Sequence, residues 1–492
     1  MLRRGSARPA RVATWAALGL FALQLAWSMT VTPFRGIDEF DHVYRAEQVA
    51  SGEILGHRPA ESGRGELVPV KAATVRAAGP ICRWVGYTGP DNCSPVRDVG
   101  GGYVLVASAA ARYEPFYYAY LGVASKPFSG YASVYAQRAA SGLANVLLLW
   151  MGLYALAAAF RTAWPFVGAL TALTPTLVYS SMLGQANGPE MTAAFSMAAC
   201  LIALGRGHEP SLERRLLRFA ILSALSLALT RVLSPEWLAV DLLVIGTYLG
   251  RSRLAALWRT HRGHMVVGGI LAAVACGITL TWNQVAANSG LGNETPYTDA
   301  VENTLRSMIV WPFQAFGAFP LRQDFAPPVV YLLGASAIAV AVVSLVLTGG
   351  LTRRWWAWFV GLNVLWLGVQ FVLQLWAYPM TGPIWQGRYA LPLAVVIPIL
   401  LFGWADRSDV RSPSAWVAPT VAGLMGAAQV ASIMHVRASE SASGPLSDGI
   451  AGPVGPAWLA LTIAVVGAVC LVYAAAMLNR DCTIRSLDQR AS

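Results

Sequence analysis

Charged side chains are scarce in this chain, because only 12% of its 492 residues are Asp, Glu, Lys or Arg, against roughly 25% in soluble domains. Hydrophobic residues make up 56% of the sequence, and the mean hydropathy is +0.51. These values exclude an ordinary soluble protein and predict an integral membrane protein. The sequence also lacks a Walker phosphate loop, a dinucleotide-binding fingerprint and zinc-type Cys or His spacing. No nucleotide or zinc site is therefore predicted.

The net charge of +11 does not indicate a nucleic-acid partner. Arginines cluster in short segments between alternate hydrophobic runs, as at 206–218 and 251–262, and the 353–354 pair follows the same rule. This is the positive-inside pattern of a multi-pass membrane protein, and it places both termini in the cytoplasm. High Ala, Gly and Arg usage is typical of a GC-rich bacterial genome. We therefore predict a bacterial cytoplasmic membrane protein.

Hydrophobic runs predict about twelve membrane-spanning helices in an all-α polytopic protein. Their limits are 13–33, 136–160, 164–183, 189–205, 216–230, 235–250, 265–286, 328–349, 355–377, 389–405, 415–435 and 455–478. The two short segments at 216–230 and 235–250 fit tilted, broken or re-entrant helices equally well. Residues 1–492 form one membrane domain in this scheme.

Two predicted extracytoplasmic loops, 34–135 and 287–327, are long enough to fold. Loops longer than a helical bundle requires commonly carry function. The first contains Cys82 and Cys93, for which an oxidising compartment favours a disulfide over two free thiols. No internal repeat is evident, so the inverted-repeat architecture of many transporters is not indicated.

The acidic segment Ile37–His42 follows the first hydrophobic helix directly and emerges at the outer membrane surface. Carboxylates at that depth are costly and therefore point to a function. A helix is predicted over 40–50, which places Asp38, Asp41 and His42 near one face. Spacing alone fits two interpretations of Asp38 equally well, a helix N-cap and a catalytic base.

Four short motifs resemble a bacterial membrane-protein family called domain of unknown function 2142. They are Pro33–His42 with Tyr44-Arg45-Ala46, Glu114-Pro115-Phe116-Tyr117-Tyr118, Asn187-Gly188-Pro189-Glu190, and Gln386-Gly387-Arg388-Tyr389-Ala390-Leu391-Pro392. Phe40 and Glu190 depart from that family's usual proline and aspartate. The overall layout also resembles GT-C glycosyltransferases, which use polyprenyl-phosphate sugars. The resemblance implies a GT-C-like fold with juxtamembrane helices in the first loop, and it places the catalytic acid at Asp38.

Sugar transfer from a lipid phosphate needs a base for the acceptor hydroxyl and a cation for the departing phosphate. We predict Asp38 as the base and Glu39 as a group that either orients the acceptor or supports a divalent cation. Arg388 is the predicted phosphate ligand, with Gln386 and Tyr389 beside it, although an interfacial arginine also commonly binds ordinary phospholipid headgroups. No protein metal site is indicated, and a cation is not required by this chemistry.

Several other polar residues lie near the predicted outer surface, and the sequence is compatible with two roles for most of them. Arg231 either binds phosphate or pairs with Glu236. Arg138 and Glu190 either pair with each other or line the cavity under Asp38. His42 is predicted to contact substrate, as is Tyr117, whose cluster with Tyr113, Tyr118 and Tyr120 either stacks on sugar rings or anchors a helix at the interface.

The sequence thus predicts an inverting membrane glycosyltransferase with an extracytoplasmic active site. Its predicted partners are a polyprenyl-phosphate-linked sugar, a glycan, lipid or protein acceptor, and membrane lipids, without nucleic acid. The alternatives are a transporter or flippase, or a polymerase or ligase, for polyprenyl-linked glycans. Asp241, which lies within a predicted span, would favour transport.

Overall fold

A computed structural model describes residues 7–87, 89–286, 297–319, 325–382, 385–407, 410–442 and 452–491. Its elements in chain order are α1 (Ala7–Thr30), α2 (Glu39–Ala50), β1 (Glu66–Lys71), α3 (Ala72–Trp84), β2 (Arg97–Gly100), β3 (Tyr103–Ser108), α4 (Pro115–Ser125), α5 (Tyr131–Ala159), α6 (Trp164–Ala172), α7 (Pro175–Met182), α8 (Asn187–Leu204), α9 (Pro210–Ala228), α10 (Ser234–Val285), α11 (Tyr297–Met308), α12 (Trp311–Gly317), α13 (Pro328–Leu347), α14 (Arg353–Thr381), a 3₁₀ helix (Gly387–Ala390), α15 (Leu391–Arg407), α16 (Val417–Ala442) and α17 (Ala457–Ala491).

The predicted helical membrane architecture is confirmed. Every hydrophobic segment predicted to span the membrane is largely helical. Eight helices in the described part of the chain are long and apolar enough to cross a bilayer. The predicted count of twelve is not confirmed. The 164–183 segment is divided between the short helices α6 and α7, α8 and α9 do not meet the same criteria, and α10 combines two predicted spans in one helix.

The longest helix, α10, contains two of the predicted spans. Its backbone leaves the helical conformation at Gly250, with φ 77°, and again at His261. Glycine adopts this positive φ without the steric penalty of a side chain. The first break coincides with the predicted end of the 235–250 segment, so α10 is a pair of helical segments joined by the arginine-containing stretch 251–260.

Small residues bring the first and last helices together. A Cβ placed on Gly19 of α1 would lie 2.7 Å from the carbonyl oxygen of Gly467 on α17. A Cβ placed on Gly467 would lie 2.7 Å from the carbonyl oxygen of Gly19. Such close backbone approach is typical of membrane helix pairs. The fully buried side chains of Trp27 and Trp164 belong to the continuous apolar core around which the other long helices pack.

Residues 31–130, which connect α1 to α5, form a small α/β unit at one end of the bundle. We call this end the loop face. Helices α2, α3 and α4 lie there, as the prediction of juxtamembrane helices in the 34–135 loop requires. Strands β1, β3 and β2 form an antiparallel sheet that was not predicted from the sequence. The valines on one face of the sheet lie in a buried cluster with the disulfide between Cys82 and Cys93, and Leu67, Leu105 and Ala107 belong to a second cluster.

The second long loop, predicted at 287–327, is described in part. Residues 287–296 and 320–324, including Glu294, lie outside the described residues. Between them, α11 and α12 lead back toward the bundle, and α12 packs against the 3₁₀ helix at Gly387–Ala390. This packing fixes the position of the predicted phosphate ligand.

Candidate active site

Asp38 meets Arg388 at the loop face. The carboxylate Oδ2 of Asp38 lies 3.6 Å from Nη2 of Arg388. Asp38 precedes α2 with φ 54°, and Phe34 is the only other non-glycine residue with positive φ among those described. Its carboxylate forms no capping hydrogen bond to α2 within the described chain, so the N-cap interpretation does not account for it. An aspartate that holds the left-handed conformation at the N-cap position without using its side chain as a cap points to a function.

A close backbone approach fixes Arg388 in place. The preceding Gly387 lies against α12, where a Cβ would sit 1.9 Å from the carbonyl oxygen of Trp311. The Gly387 N–H donates to Oε1 of Gln314 at 2.8 Å. Gln386 provides the carbonyl that accepts from the Tyr389 N–H at 2.9 Å, closing the 3₁₀ turn. These contacts therefore fix the backbone from which the Arg388 side chain extends.

The guanidinium of Arg388 is buried but incompletely bonded. Its side chain is 5% exposed, and its Nε and Nη1 atoms have no hydrogen-bond partner among the residues that the structure describes. A buried donor without a partner costs about 1–3 kcal/mol, and more when it is charged. The Nε–H and Nη1–H groups lie on different edges of the guanidinium, so each can donate to an oxygen of an anion such as phosphate or carboxylate. Arg388 is therefore arranged to receive an anion.

Arg231 and Arg388 flank the same aromatic ring. The Arg231 guanidinium carbon is 4.9 Å from the Tyr389 ring centroid, and the Arg388 carbon is 5.2 Å from it. Arg231 pairs with Glu190 at 3.3 Å, and Ser234 donates to the other Glu190 oxygen at 2.9 Å. The proposed pairing of Arg231 with Glu236 is thus replaced by a pairing with Glu190, which partly neutralises the second cation of the site.

Glu39 faces Arg138 rather than the site. Arg138 donates from Nε and Nη2 to the two Glu39 oxygens at 2.6 and 2.7 Å, and both side chains are fully buried. Arg138 also donates to the carbonyls of Val31 at 2.7 Å and Thr32 at 3.1 Å, at the end of α1. The alternative pairing of Arg138 with Glu190 is therefore wrong, and Arg138 instead joins α1, α2 and α5.

A divalent cation does not fit at Asp38 and Glu39. Both Glu39 oxygens are engaged by Arg138, and Glu39 Oε2 also accepts from the Gly36 N–H at 3.2 Å. No group of three His, Cys, Asp or Glu side chains able to hold a metal occurs in the part of the chain that the structure describes. Asp38 alone would have to supply the ligands, with the Arg388 cation beside it.

His42 lies one helical turn after Asp38, in an aromatic layer. Its Nδ1 is 2.6 Å from the Tyr118 hydroxyl, and the two rings are stacked. Burial lowers the pKa of His42 to about 3, so the imidazole is neutral and adds no positive charge. The Tyr117 hydroxyl donates to Ser141 at 2.8 Å and is buried, as an anchoring residue would be.

Glu114 was not predicted as a site residue. It is 1% exposed, and neither carboxylate oxygen has a hydrogen-bond partner among the described residues. Burial raises its pKa to about 7, an effect that the nearby Arg231 cation opposes. The signal in the sequence was its place directly before Pro115-Phe116-Tyr117-Tyr118, within one of the four motifs.

Comparison with known proteins yields one family and two solved structures. The model of a family described as "Predicted membrane protein (DUF2142)" matches residues 21–397. The structure of ArnT from Cupriavidus metallidurans bound to undecaprenyl phosphate is 16% identical, with 96% of this chain and 78% of that chain covered and a TM-score of 0.38. The apo structure of the same ArnT is 14% identical, with 96% and 77% covered and a TM-score of 0.39.

No curated protein matches the sequence. The family match spans most of the chain and contains all four sequence motifs described above. The chain belongs to the DUF2142 family of predicted membrane proteins.

Proposed function

We propose that this protein is a GT-C-like membrane glycosyltransferase that moves a sugar from a polyprenyl-phosphate donor to an acceptor hydroxyl. The loop face would lie on the extracytoplasmic side of a bacterial cytoplasmic membrane, with both termini inside. The observation that carries the proposal is the contact between Asp38 and an incompletely bonded, buried Arg388. The two residues that we propose as base and phosphate ligand thus lie in contact, although they are far apart in the sequence.

The contact suggests an order of events. In the resting protein the Asp38 carboxylate and the Arg388 guanidinium pair with each other at 3.6 Å. A donor phosphate is a stronger ligand for the guanidinium, because it offers several charged oxygens in bidentate geometry. Donor binding would therefore draw Arg388 away and leave Asp38 available to the acceptor. The base would become active only when the donor is in place.

The transfer itself is a single displacement at the anomeric carbon. Asp38 takes the proton of the acceptor hydroxyl while the acceptor oxygen bonds to the anomeric carbon. The bond between that carbon and the phosphate oxygen breaks, and the electron pair leaves with the polyprenyl phosphate. Arg388 stabilises the charge that develops on the departing phosphate. Attack from the side opposite the phosphate inverts the configuration at the anomeric carbon.

Arg231 has a smaller part in this scheme. Its charge already faces Glu190, and its guanidinium stacks on the Tyr389 ring. It therefore raises the positive potential near Arg388 without offering a full set of donors. Glu39 and Arg138 hold the start of α2 in position and take no part in the transfer.

One observation favours transport of a polyprenyl-linked glycan as a second candidate function. Asp241 of α10 is fully buried, and neither of its carboxylate oxygens has a partner among the described residues. Acidic residues inside a membrane bundle often mark a transport path. If Asp241→Asn abolishes function in cells while Asp38→Asn does not, transport replaces transfer as the conclusion.

The test compares Asp38→Asn with Arg388→Ala in purified, lipid-reconstituted protein. Asparagine tolerates the left-handed backbone at position 38, so Asp38→Asn should fold. We expect it to bind undecaprenyl phosphate like the wild type but to lose transfer, whereas Arg388→Ala should lose binding. Arg306→Ala is the control, because Arg306 lies on α11 with a 75% exposed side chain paired to Glu302. Full transfer activity in Asp38→Asn would refute the assignment of the base.

A further inference from the structure

An apolar groove runs along α15, directly beyond the predicted phosphate ligand. It has a volume of about 270 Å³ and lies between α15, α6, α12, α13 and α14. The residues from α15 that line it extend from Leu391 to Phe402. Leu391 is three residues after Arg388, so one end of the groove begins beside the anion site.

The few polar side chains that line the groove are bonded to the protein itself. Thr171 donates to the Gly168 carbonyl at 2.8 Å, and the Asn363 amide donates to the Phe359 carbonyl at the same distance. Thr174 donates to the Ala315 carbonyl at 3.1 Å. These bonds leave hydrocarbon and aromatic surface facing the groove, so its occupant is expected to be a hydrocarbon chain.

Two tryptophans of α14 hold the walls of the groove in place. The Trp366 indole N–H donates to the Ala390 carbonyl at 3.0 Å, and the Trp355 indole N–H donates to the Leu401 carbonyl at 3.2 Å. These bonds fix α14 to both ends of the lining face of α15. Because both indole donors are used, they are not available to bind a polar ligand in the groove.

The groove is open toward the bilayer. Helices α13 and α14 make little contact with each other along their described lengths, although they are consecutive in the chain. Ile338 of α13 and Phe359 of α14 line the groove and remain 47% and 38% exposed. A long lipid chain can therefore enter from the side.

We propose that this groove holds the first isoprene units of a polyprenyl chain whose phosphate binds Arg388. The inference rests on the proposed function and adds to it the place of the lipid tail. Residues Leu391–Phe402 rise about 16 Å along α15, which is roughly half the hydrocarbon core of a bilayer. This length accommodates roughly three or four extended isoprene units of about 5 Å each. Continuity with Arg388 favours one chain on a phosphate over the paired acyl chains of a phospholipid.

The experiment measures binding of geranyl, farnesyl, geranylgeranyl and undecaprenyl phosphate to the full-length protein in detergent. Affinity should rise by about tenfold or more up to the geranylgeranyl chain and then level off. Ile338→Trp fills the groove from a partly exposed position and should abolish that gain. Val343→Trp is the matched control, because Val343 is on the same helix, is 54% exposed and does not line the groove. It should bind like the wild type.

The possible failures are distinguishable. If the wild type binds none of the isoprenyl phosphates, the donor assignment of the proposed function is overturned. If the wild type binds them and needs Arg388, but Ile338→Trp retains the full chain-length gain, the groove assignment alone is overturned. A diazirine-bearing farnesyl phosphate provides a second readout, because it should crosslink within the segments that line the groove, which are 171–174, 312–316, 338–342, 355–366 and 391–402. Crosslinking elsewhere, or displacement by phospholipid but not by undecaprenyl phosphate, would also overturn the groove assignment.

Discussion

Disruption of the Glu39–Arg138 pair should destabilise the protein without removing a catalytic group. The pair is fully buried and bidentate, and Arg138 also binds carbonyls at the end of α1. Removing one partner of such a pair leaves an uncompensated buried charge, which costs about 3–5 kcal/mol. Glu39→Gln and Arg138→Gln should each lose about that much in the free energy of unfolding, measured by unfolding in mixed detergent micelles.

The double variant separates pairing from other effects. Because it carries no unpaired charge, Glu39→Gln with Arg138→Gln should lose less than the sum of the two single variants, by about 3 kcal/mol. The exposed pair of Glu302 and Arg306 is the control, for which coupling should be below about 1 kcal/mol. If Glu39→Gln is as stable as the wild type but inactive in transfer, Glu39 acts in the chemistry and our structural assignment fails.

Gly387, the buried Glu114 carboxylate and the Cys82–Cys93 disulfide can each be tested by substitution. Gly387→Ala should weaken isoprenyl-phosphate binding by more than tenfold, because the new Cβ would collide with the carbonyl of Trp311. Binding equal to that of the wild type would show that the close packing of Gly387 against α12 is not needed to position Arg388. Burial raises the Glu114 pKa from 4.5 to about 7, so its buried charge costs about 3 kcal/mol above pH 7 and nothing below pH 4. Glu114→Gln should therefore raise the midpoint of thermal unfolding at pH 8 but not at pH 4, and an identical gain at both would contradict the pKa. Replacing Cys82 and Cys93 by serine should cost about 3 kcal/mol, seen as faster proteolysis of the loop-face unit, whereas unchanged proteolysis would show that the bond is dispensable.

Hydropathy predicted the helices well because each must satisfy its backbone inside a bilayer. The end of one segment at residue 250 even coincides with the break at Gly250. The count of membrane crossings was harder, since short or polar helices such as α7 and α8 are buried by their neighbours rather than by lipid. The sheet was not predicted because β1 contains Pro69 and β2 is only four exposed residues long.

The identity of charged partners could not be predicted from the sequence. Asp38 and Glu39 are adjacent, yet the left-handed backbone at Asp38 separates their directions, so one meets Arg388 and the other meets Arg138. The sequence predicts several carboxylates and arginines at the same membrane surface, where many different ion pairs are equally compatible with it. The choice among them depends on helix packing, which a single sequence does not specify.

The central claim is that Arg388 binds the phosphate of a polyprenyl-linked sugar. The most direct measurement is mass spectrometry of the lipids that co-purify with the wild-type protein and with Arg388→Ala. We predict a polyprenyl-monophosphate sugar bound to the wild type and depleted in the variant. An equal amount of that lipid in both proteins, or a diphosphate-linked oligosaccharide in its place, would contradict the claim.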